Sequence, residues 1–393
     1  MENTSNHRAG RHFLQIPGPS NVPDRVLRAM TQPVIDHRGP DFPALTLRLQ
    51  DRLRRVFASR DPVLTYPASG TGGWECALLN ALSPGDRVLA SETGHFATLW
   101  KQVAEKLGLE VLWLEGDWRH GVDPQRVEQA LREDTAHDIK AVLAVHTETS
   151  TGVTSRIPAV REAIDNAGHP ALFMVDAVSS LACSEYRHSD WRVDVTVSAS
   201  QKGLMLPPGL CFNAVSDKAL ESAGRSAACH SYWRWDTMLQ SNAQGYFPYT
   251  PATSLLYGLD EALGLLLEEG LDNVVARHAR LAEATRRAVA AWGLENVCLD
   301  DSEYCNSTTA VLVPQGHDAD DLRRLILTHF DMSLGTGLGK LKGSIFRIGH
   351  IGDFNALMLA GTLSGVEMGL RLAAIPHQAG GINAALEYLA AST

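Results

Sequence analysis

The chain has 393 residues, 45% of them hydrophobic and 20% charged, a globular composition with length for a large domain plus a smaller one. Its net charge of −10 gives no global support to a phosphate-tracking nucleic-acid surface. Six cysteines (Cys76, Cys183, Cys211, Cys229, Cys298, Cys305) lie far apart without a Cys-x-x-Cys pair, which argues against a zinc knuckle, a redox dithiol and a disulfide scaffold. No run of about eighteen apolar residues occurs and residues 1–16 carry no apolar core, so no membrane partner is expected and a cytoplasmic location is.

In chain order, residues 1–23 read as an arm punctuated by Pro17, Gly18, Pro19 and Pro23. From 62 to 215, apolar runs at 63–66, 87–90, 110–114, 141–146, 171–175, 193–197 and 210–214 are interleaved with amphipathic stretches at 74–82, 96–107, 124–133 and 158–168. Asp123-Pro124 opens the third stretch as an N-cap followed by a favoured first helical residue. Most of the runs are rich in Val, Leu and Ala, as in strands covered on both faces, so the expectation is an α/β fold with a mostly parallel seven-stranded sheet. Beyond Gly270 come a helix at 273–292, a run at 309–313, a helix at 318–330, a run at 345–348 and helices at 354–374 and 381–391, a compact α+β domain. The expected division is an arm at 1–23, a large domain at 24–272 and a small domain at 273–393.

Two glycine-rich segments miss the motifs they approach. Ser69-Gly70-Thr71-Gly72-Gly73 needs glycine at position 75 to complete a dinucleotide loop and has Glu75. The segment from Gly335 to Lys340 lacks the glycine and the hydroxyl of a P-loop, with Leu334 and Leu341 in their places. Fifteen histidines form no His-Glu-x-x-His and no other ligand spacing, so no metal is assigned.

Three other features fall in order at strand ends or strand-to-helix turns. The segment from Ser69 to Gly73 opens a helix, where unpaired N–H groups and the positive dipole end can hold a phosphate; it is otherwise an ordinary connection. Asp176 ends the 171–175 run, at the carboxyl edge where open α/β sheets bind ligands; a helix cap or an ion pair is the alternative. Lys202, in Ser198-Ala199-Ser200-Gln201-Lys202-Gly203, is either a solvated loop lysine or a desolvated amine able to bond an aldehyde. A reactive lysine, an acid for a ring nitrogen and an anion cradle are together what a pyridoxal phosphate site needs.

With Ile16-Pro17-Gly18-Pro19-Ser20, His146-Thr147-Glu148-Thr149-Ser150-Thr151-Gly152, Val175-Asp176-Ala177-Val178-Ser179-Ser180, Tyr246-Phe247-Pro248-Tyr249-Thr250-Pro251 and Arg347-Ile348-Gly349, these residues resemble the fold-type I pyridoxal phosphate aminotransferases of the alanine/serine–glyoxylate group, over residues 16–370. Asp36-His37-Arg38, Thr71-Gly72-Gly73-Trp74-Glu75 and Gly245-Tyr246-Phe247-Pro248-Tyr249-Thr250 resemble its serine–glyoxylate branch. The resemblance implies transfer of an amino group from L-serine to glyoxylate, with alanine or aspartate as other donors, in a homodimer. It implies Lys202 as the covalent anchor of pyridoxal 5′-phosphate and as proton shuttle, and Asp176 as the partner of the ring nitrogen. By the same resemblance Thr71, Gly72, Gly73 and Gln201 meet the phosphate, Phe96 stacks on the ring where some relatives have tryptophan, and Thr149 touches the phenolic oxygen. Thr250 and a neighbouring tyrosine resemble phosphate contacts from the other subunit; Tyr246, Phe247 and Tyr249 compete for the tyrosine's place, with Tyr249 taken as the candidate. Arg347 resembles the clamp for the substrate α-carboxylate, and His37 and Arg38 resemble residues that enter the neighbouring subunit's substrate pocket.

Other readings stay open. A lyase or desulfurase on this scaffold would be distinguished by a reactive cysteine, for which Cys229 beside His230 is the one to check. A cofactor-binding regulator is disfavoured by the net charge and by the lack of a DNA-binding extension. Tyr232-Trp233-Arg234-Trp235 is a candidate for selecting the amino donor.

Overall fold

The computed structural model describes residues 9–226, 228 and 231–392, so Cys229 and His230 lie outside it. The first strand, β1 (Phe13–Gln15), belongs to a small sheet. The large sheet comprises β2 (Val63–Ala68), β3 (Arg87–Ser91), β4 (Glu110–Leu114), β5 (Ile139–Val145), β8 (Leu172–Asp176), β9 (Val195–Ala199) and β10 (Gly209–Val215). Between β5 and β8 a two-stranded hairpin, β6 (Thr147–Glu148) and β7 (Val153–Thr154), stands apart from it.

The order across the large sheet is β2-β10-β9-β8-β5-β3-β4. All pairs from β9 to β4 are parallel, and β10 is antiparallel to both of its neighbours. The reason lies in the connection: residues 200–208 alone join β9 to β10, whereas a parallel return needs about a dozen residues or more. Successive residues alternate between two buried layers. Leu89, Val142, Phe173 and Phe212 pack with the Phe42–Val56, Pro124–Glu133, Ile157–Asn166 and Thr253–Glu269 helices. Val88, Leu143, Met174 and Cys211 pack with the Gly70–Ala81 and His95–Lys106 helices. Burial on both faces is why these strands read as continuous apolar runs.

The smaller C-terminal domain holds a mixed sheet, ordered β1-β13-β14-β12-β11, with β11 (Glu295–Asn296), β12 (Thr308–Leu312), β13 (Met332–Thr336) and β14 (Ile345–Gly349). Its core gathers Trp292, Phe346, Leu359 and Leu363 under the Leu271–Ala291, Ala319–Phe330, Ala356–Leu372 and Gly381–Ala391 helices. β1 runs parallel to β13, so the arm contributes a strand to this sheet before it crosses to the large domain. That crossing is close: a Cβ on Gly335 would lie 2.6 Å from the Pro17 ring, and Ser20 N–H bonds the Gln201 carbonyl at 2.9 Å. Among the described residues no helix is long and apolar enough to cross a membrane.

Candidate active site

A cavity of about 210 Å³ opens at the carboxyl edge of the large sheet, lined among others by Gly18, Thr71, Phe96, Thr149, Asp176, Gln201 and Lys202. Four of its walls follow from local chain rules. After β2, Ser69 is extended (φ −109°, ψ 178°) and its side chain makes no cap bond, so the first amides of the Gly70–Ala81 helix have no side-chain acceptor and point out along the positive dipole end. Gly73 N–H closes on the Ser69 carbonyl at 3.0 Å. The Gly73 amide is thus engaged inside the helix, and the amides left without an intrahelical acceptor are those of Gly70, Thr71 and Gly72. Of the expected anion-binding residues, Thr71 and Gln201 line the cavity, while Gly72 and Gly73 do not.

Asp176 ends β8 and is buried. Its Oδ1 accepts the Val178 N–H at 2.7 Å, and its Oδ2 accepts the Trp74 indole N–H at 3.1 Å. Burial pushes its carboxyl up to about 7, helped by the Glu148 charge and resisted by those two N–H groups and by Lys202. Lys202 follows β9, and its Nζ donates to the Pro17 carbonyl at 2.7 Å. Its ammonium is lowered to about 8, first by burial and then by the positive charge of Arg347, with Asp176 pulling the other way. Gly18, at φ +128°, allows this approach, since a Cβ there would fall 2.5 Å from Lys202 Nζ.

Arg347 comes from the middle of β14 and is 6% exposed. Its Nε donates to the Thr336 carbonyl and its Nη1 to the Thr149 carbonyl, both at 2.8 Å, which leaves Nη2 with no acceptor among the described residues. Burial lowers its guanidinium to about 10, against the pull of Glu148. It stands behind Thr149 and is not itself among the lining residues. Thr149 also shares a short hydroxyl contact with Ser179.

Sequence reasoning missed Glu148, which organises two of these walls. Its carboxylate accepts N–H groups of Phe96 (3.1 Å), Ala97 (3.0 Å) and Ser150 (3.1 Å) and the Ser150 hydroxyl (2.6 Å). It thereby caps the His95–Lys106 helix, whose own N-cap, Gly94, has no side chain, and it fixes Phe96 at the cavity wall. The signal was present in the sequence as a Glu inside an otherwise neutral Thr/Ser run, but a cap supplied from 50 residues away has no local signature. The role of Trp74 in bonding Asp176 was equally unreadable.

Four expected site residues stand elsewhere. His37 is half-buried with an unpartnered Nε2, Arg38 and Thr250 are exposed, and Tyr249 stacks on Tyr232 with ring centroids 4.3 Å apart; none of them lines the cavity of this chain. Within the aromatic patch, Trp235 is wholly buried, with its indole N–H on Asn213 Oδ1 at 3.3 Å, and packs in the core. Trp233 sits against Gly72 instead. The five described cysteines are buried, and burial raises the thiols of Cys183, Cys211, Cys298 and Cys305, so none of these four is poised as a nucleophile. No cluster of three or more metal-ligating side chains occurs among the described residues.

The Aminotransferase class-V family model matches residues 12–338. A serine–glyoxylate aminotransferase of Methylorubrum extorquens is 50% identical over 370 residues, 92% of this chain and 92% of that one. An L-aspartate–glyoxylate aminotransferase of Paracoccus denitrificans is 41% identical over 380 residues, 96% of each. The crystal structure of a ureidoglycine–glyoxylate aminotransferase from Bacillus subtilis aligns with a TM-score of 0.91 at 28% identity, covering 98% of this chain and 100% of that one.

Proposed function

The chain belongs to the class-V aminotransferase family, and from that premise we propose that it moves the amino group of L-serine to glyoxylate, giving hydroxypyruvate and glycine, with pyridoxal 5′-phosphate as carrier. The observation that carries the reading is the convergence of Lys202, Asp176 and the amide end of the Gly70–Ala81 helix on one cavity, with Arg347 fixed behind it. The residues fit that cofactor. Asp176 is buried, yet the lysine nearby bonds a carbonyl rather than its carboxylate, so the acid has room for a cationic ring nitrogen. The amides of Gly70 and Thr71, at the cavity wall and without a side-chain acceptor, suit a phosphate, and Gln201 beside them can offer its side-chain NH2 group. When bound, this group supplies an aldehyde that takes the amino group and a cationic ring that accepts the electron pair released at the substrate Cα.

The chain's own groups do the rest. Lys202, lowered to about 8, keeps a fraction of its amine neutral near neutral pH; it would anchor the aldehyde with loss of water and, once the substrate amine displaces it, its freed amine would carry the proton at the substrate Cα. Asp176, buried at the cavity wall, would hold the proton on the ring nitrogen. Phe96 and Thr149 line the same cavity and would hold the ring, Phe96 by packing and Thr149 through its hydroxyl. Arg347 takes the α-carboxylate of donor and acceptor alike, its plane already fixed by two carbonyls. In a homodimer, Tyr249 and Thr250 reach the neighbouring copy's phosphate and His37 and Arg38 its substrate, which accounts for their position outside this chain's cavity. Buried Cys183, Cys211, Cys298 and Cys305, kept as thiols, accord with a reducing compartment such as the cytoplasm.

A second reading, aspartate as donor, is favoured by the 41% identical relative. A half-reaction screen separates the two: the loaded protein is mixed with serine, alanine or aspartate, loss of its visible band is followed, and glyoxylate is then added to restore it. Serine should give the highest kcat/KM, with ping-pong kinetics; a faster aspartate or alanine would overturn the choice of donor.

A further inference from the structure

We propose that Trp74 is a positioning residue for Asp176: its indole N–H pins Oδ2 so that the carboxylate presents a fixed edge to a cationic ring nitrogen in the cavity, a role that rests on the cofactor reading above. The bond is 3.1 Å and comes from a side chain only 3% exposed, itself on the cavity wall. Val178 N–H holds the other oxygen at 2.7 Å. A carboxylate has about four lone-pair sites, so two donors fix its plane and still leave acceptor capacity for a ligand.

The indole cannot turn away freely. Its ring stacks on Trp100, with centroids 5.8 Å apart and planes at 13°, and Trp100 lies one turn after Phe96 on the His95–Lys106 helix. Packing alone would be satisfied by phenylalanine; it does not account for an N–H placed on the one buried carboxylate of the cavity wall. The charged and titratable groups facing Asp176 are Glu148, which opposes its ionisation, Lys202, which favours it, and Tyr186. Among the described residues Trp74 is the one side chain whose uncharged N–H donates to it.

Trp74→Phe keeps a ring against Trp100 and removes the donor. In the full-length loaded protein the visible band should still form, kcat with serine should fall about tenfold for one lost bond to a charged acceptor, and KM for serine and glyoxylate should change by less than about twofold, because Arg347 is untouched. In an Asp176→Asn background the same substitution should cost nothing further. Should Trp74→Phe fail to fold, 3-benzothienylalanine at position 74 replaces the N–H with sulfur inside the same outline, and the same losses are expected. Unchanged kcat in either variant, or an equal further loss in the Asp176→Asn background, would overturn the role. A cofactor-free readout separates this inference from the functional one: the pH midpoint of the Asp176-linked loss of stability should move upward in the variant, and an unmoved midpoint would overturn the role whether or not the wild type binds pyridoxal phosphate.

Discussion

The carboxyl edge of the large sheet and the middle of the small sheet each bring a cation to the same region, and they hold it in opposite ways. Lys202 sits on the turn after β9, tethered at its tip by one bond to a carbonyl of the crossing segment. Arg347 is the central residue of β14, with β12 paired on one side and β13 on the other, and two carbonyls grip its guanidinium. A group past a strand end can swing within its turn, as a proton carrier must. A group in mid-strand has its direction set by the pleat and its plane set by its acceptors, as a clamp requires.

The severest way to break this contrast is Lys202→Ala. The visible band should vanish and turnover should fall by at least about 10⁴-fold, since both the covalent anchor and the proton carrier are lost. Absorbance after addition of pyridoxal phosphate and steady-state rates check it, and retained turnover would refute the assignment. Asp176→Asn should lower kcat by about 10²–10³-fold through loss of the fixed charge opposite the ring nitrogen. The same variant carries a pH signature in cofactor-free protein. The Asp176 carboxyl is raised from 3.8 to about 7, so the folded chain binds its proton more tightly than the unfolded chain does. The stability it contributes is therefore present below about pH 4 and lost as pH rises to about 7, at about 1.4 kcal/mol per unit. Denaturant melts across this range should lose that slope in Asp176→Asn, and an unchanged slope would place the titration elsewhere.

On the small-sheet side, Arg347→Lys should raise KM for serine and for glyoxylate alike, by about tenfold or more, because an ammonium cannot reproduce the planar fork. A rise for one substrate alone would contradict a shared clamp. The smallest effect belongs to the contact that bridges the two regions at the surface, Lys340 of the small domain on Glu92 of the large one. The lysine is 64% exposed, so Lys340→Ala should cost less than about 1 kcal/mol in a denaturant melt. A larger loss would mean that the two sheets are held together at this edge.

Much of the fold was legible because double-sided burial writes long apolar runs: the run at 110–114 coincides with β4, and the others overlap their strands within a few residues. β1 was not legible. Three residues carry no period, and their pairing with β13 is a contact across more than 300 positions. The Thr253–Glu269 helix was also passed over, although it covers one face of the large sheet. Its Leu-rich sequence has little polar face, so the alternation that marks an exposed helix is weak.

Chemistry at strand ends could be read from residue order, since an acid or a lysine that closes an apolar run has little choice but to stand at the sheet edge. Residue order alone thus carried the α/β class and the placement of Asp176, Lys202 and the helix opened at Ser69 at strand ends, whereas Arg347 came from the family resemblance. Tertiary structure alone decided which partner each of them meets: Trp74 on Asp176, Pro17 on Lys202, Thr149 on Arg347 and Glu148 under Phe96. Each of these bonds joins segments that are 50 or more residues apart, and a hydrogen bond is defined by distance and angle, neither of which a linear spacing carries.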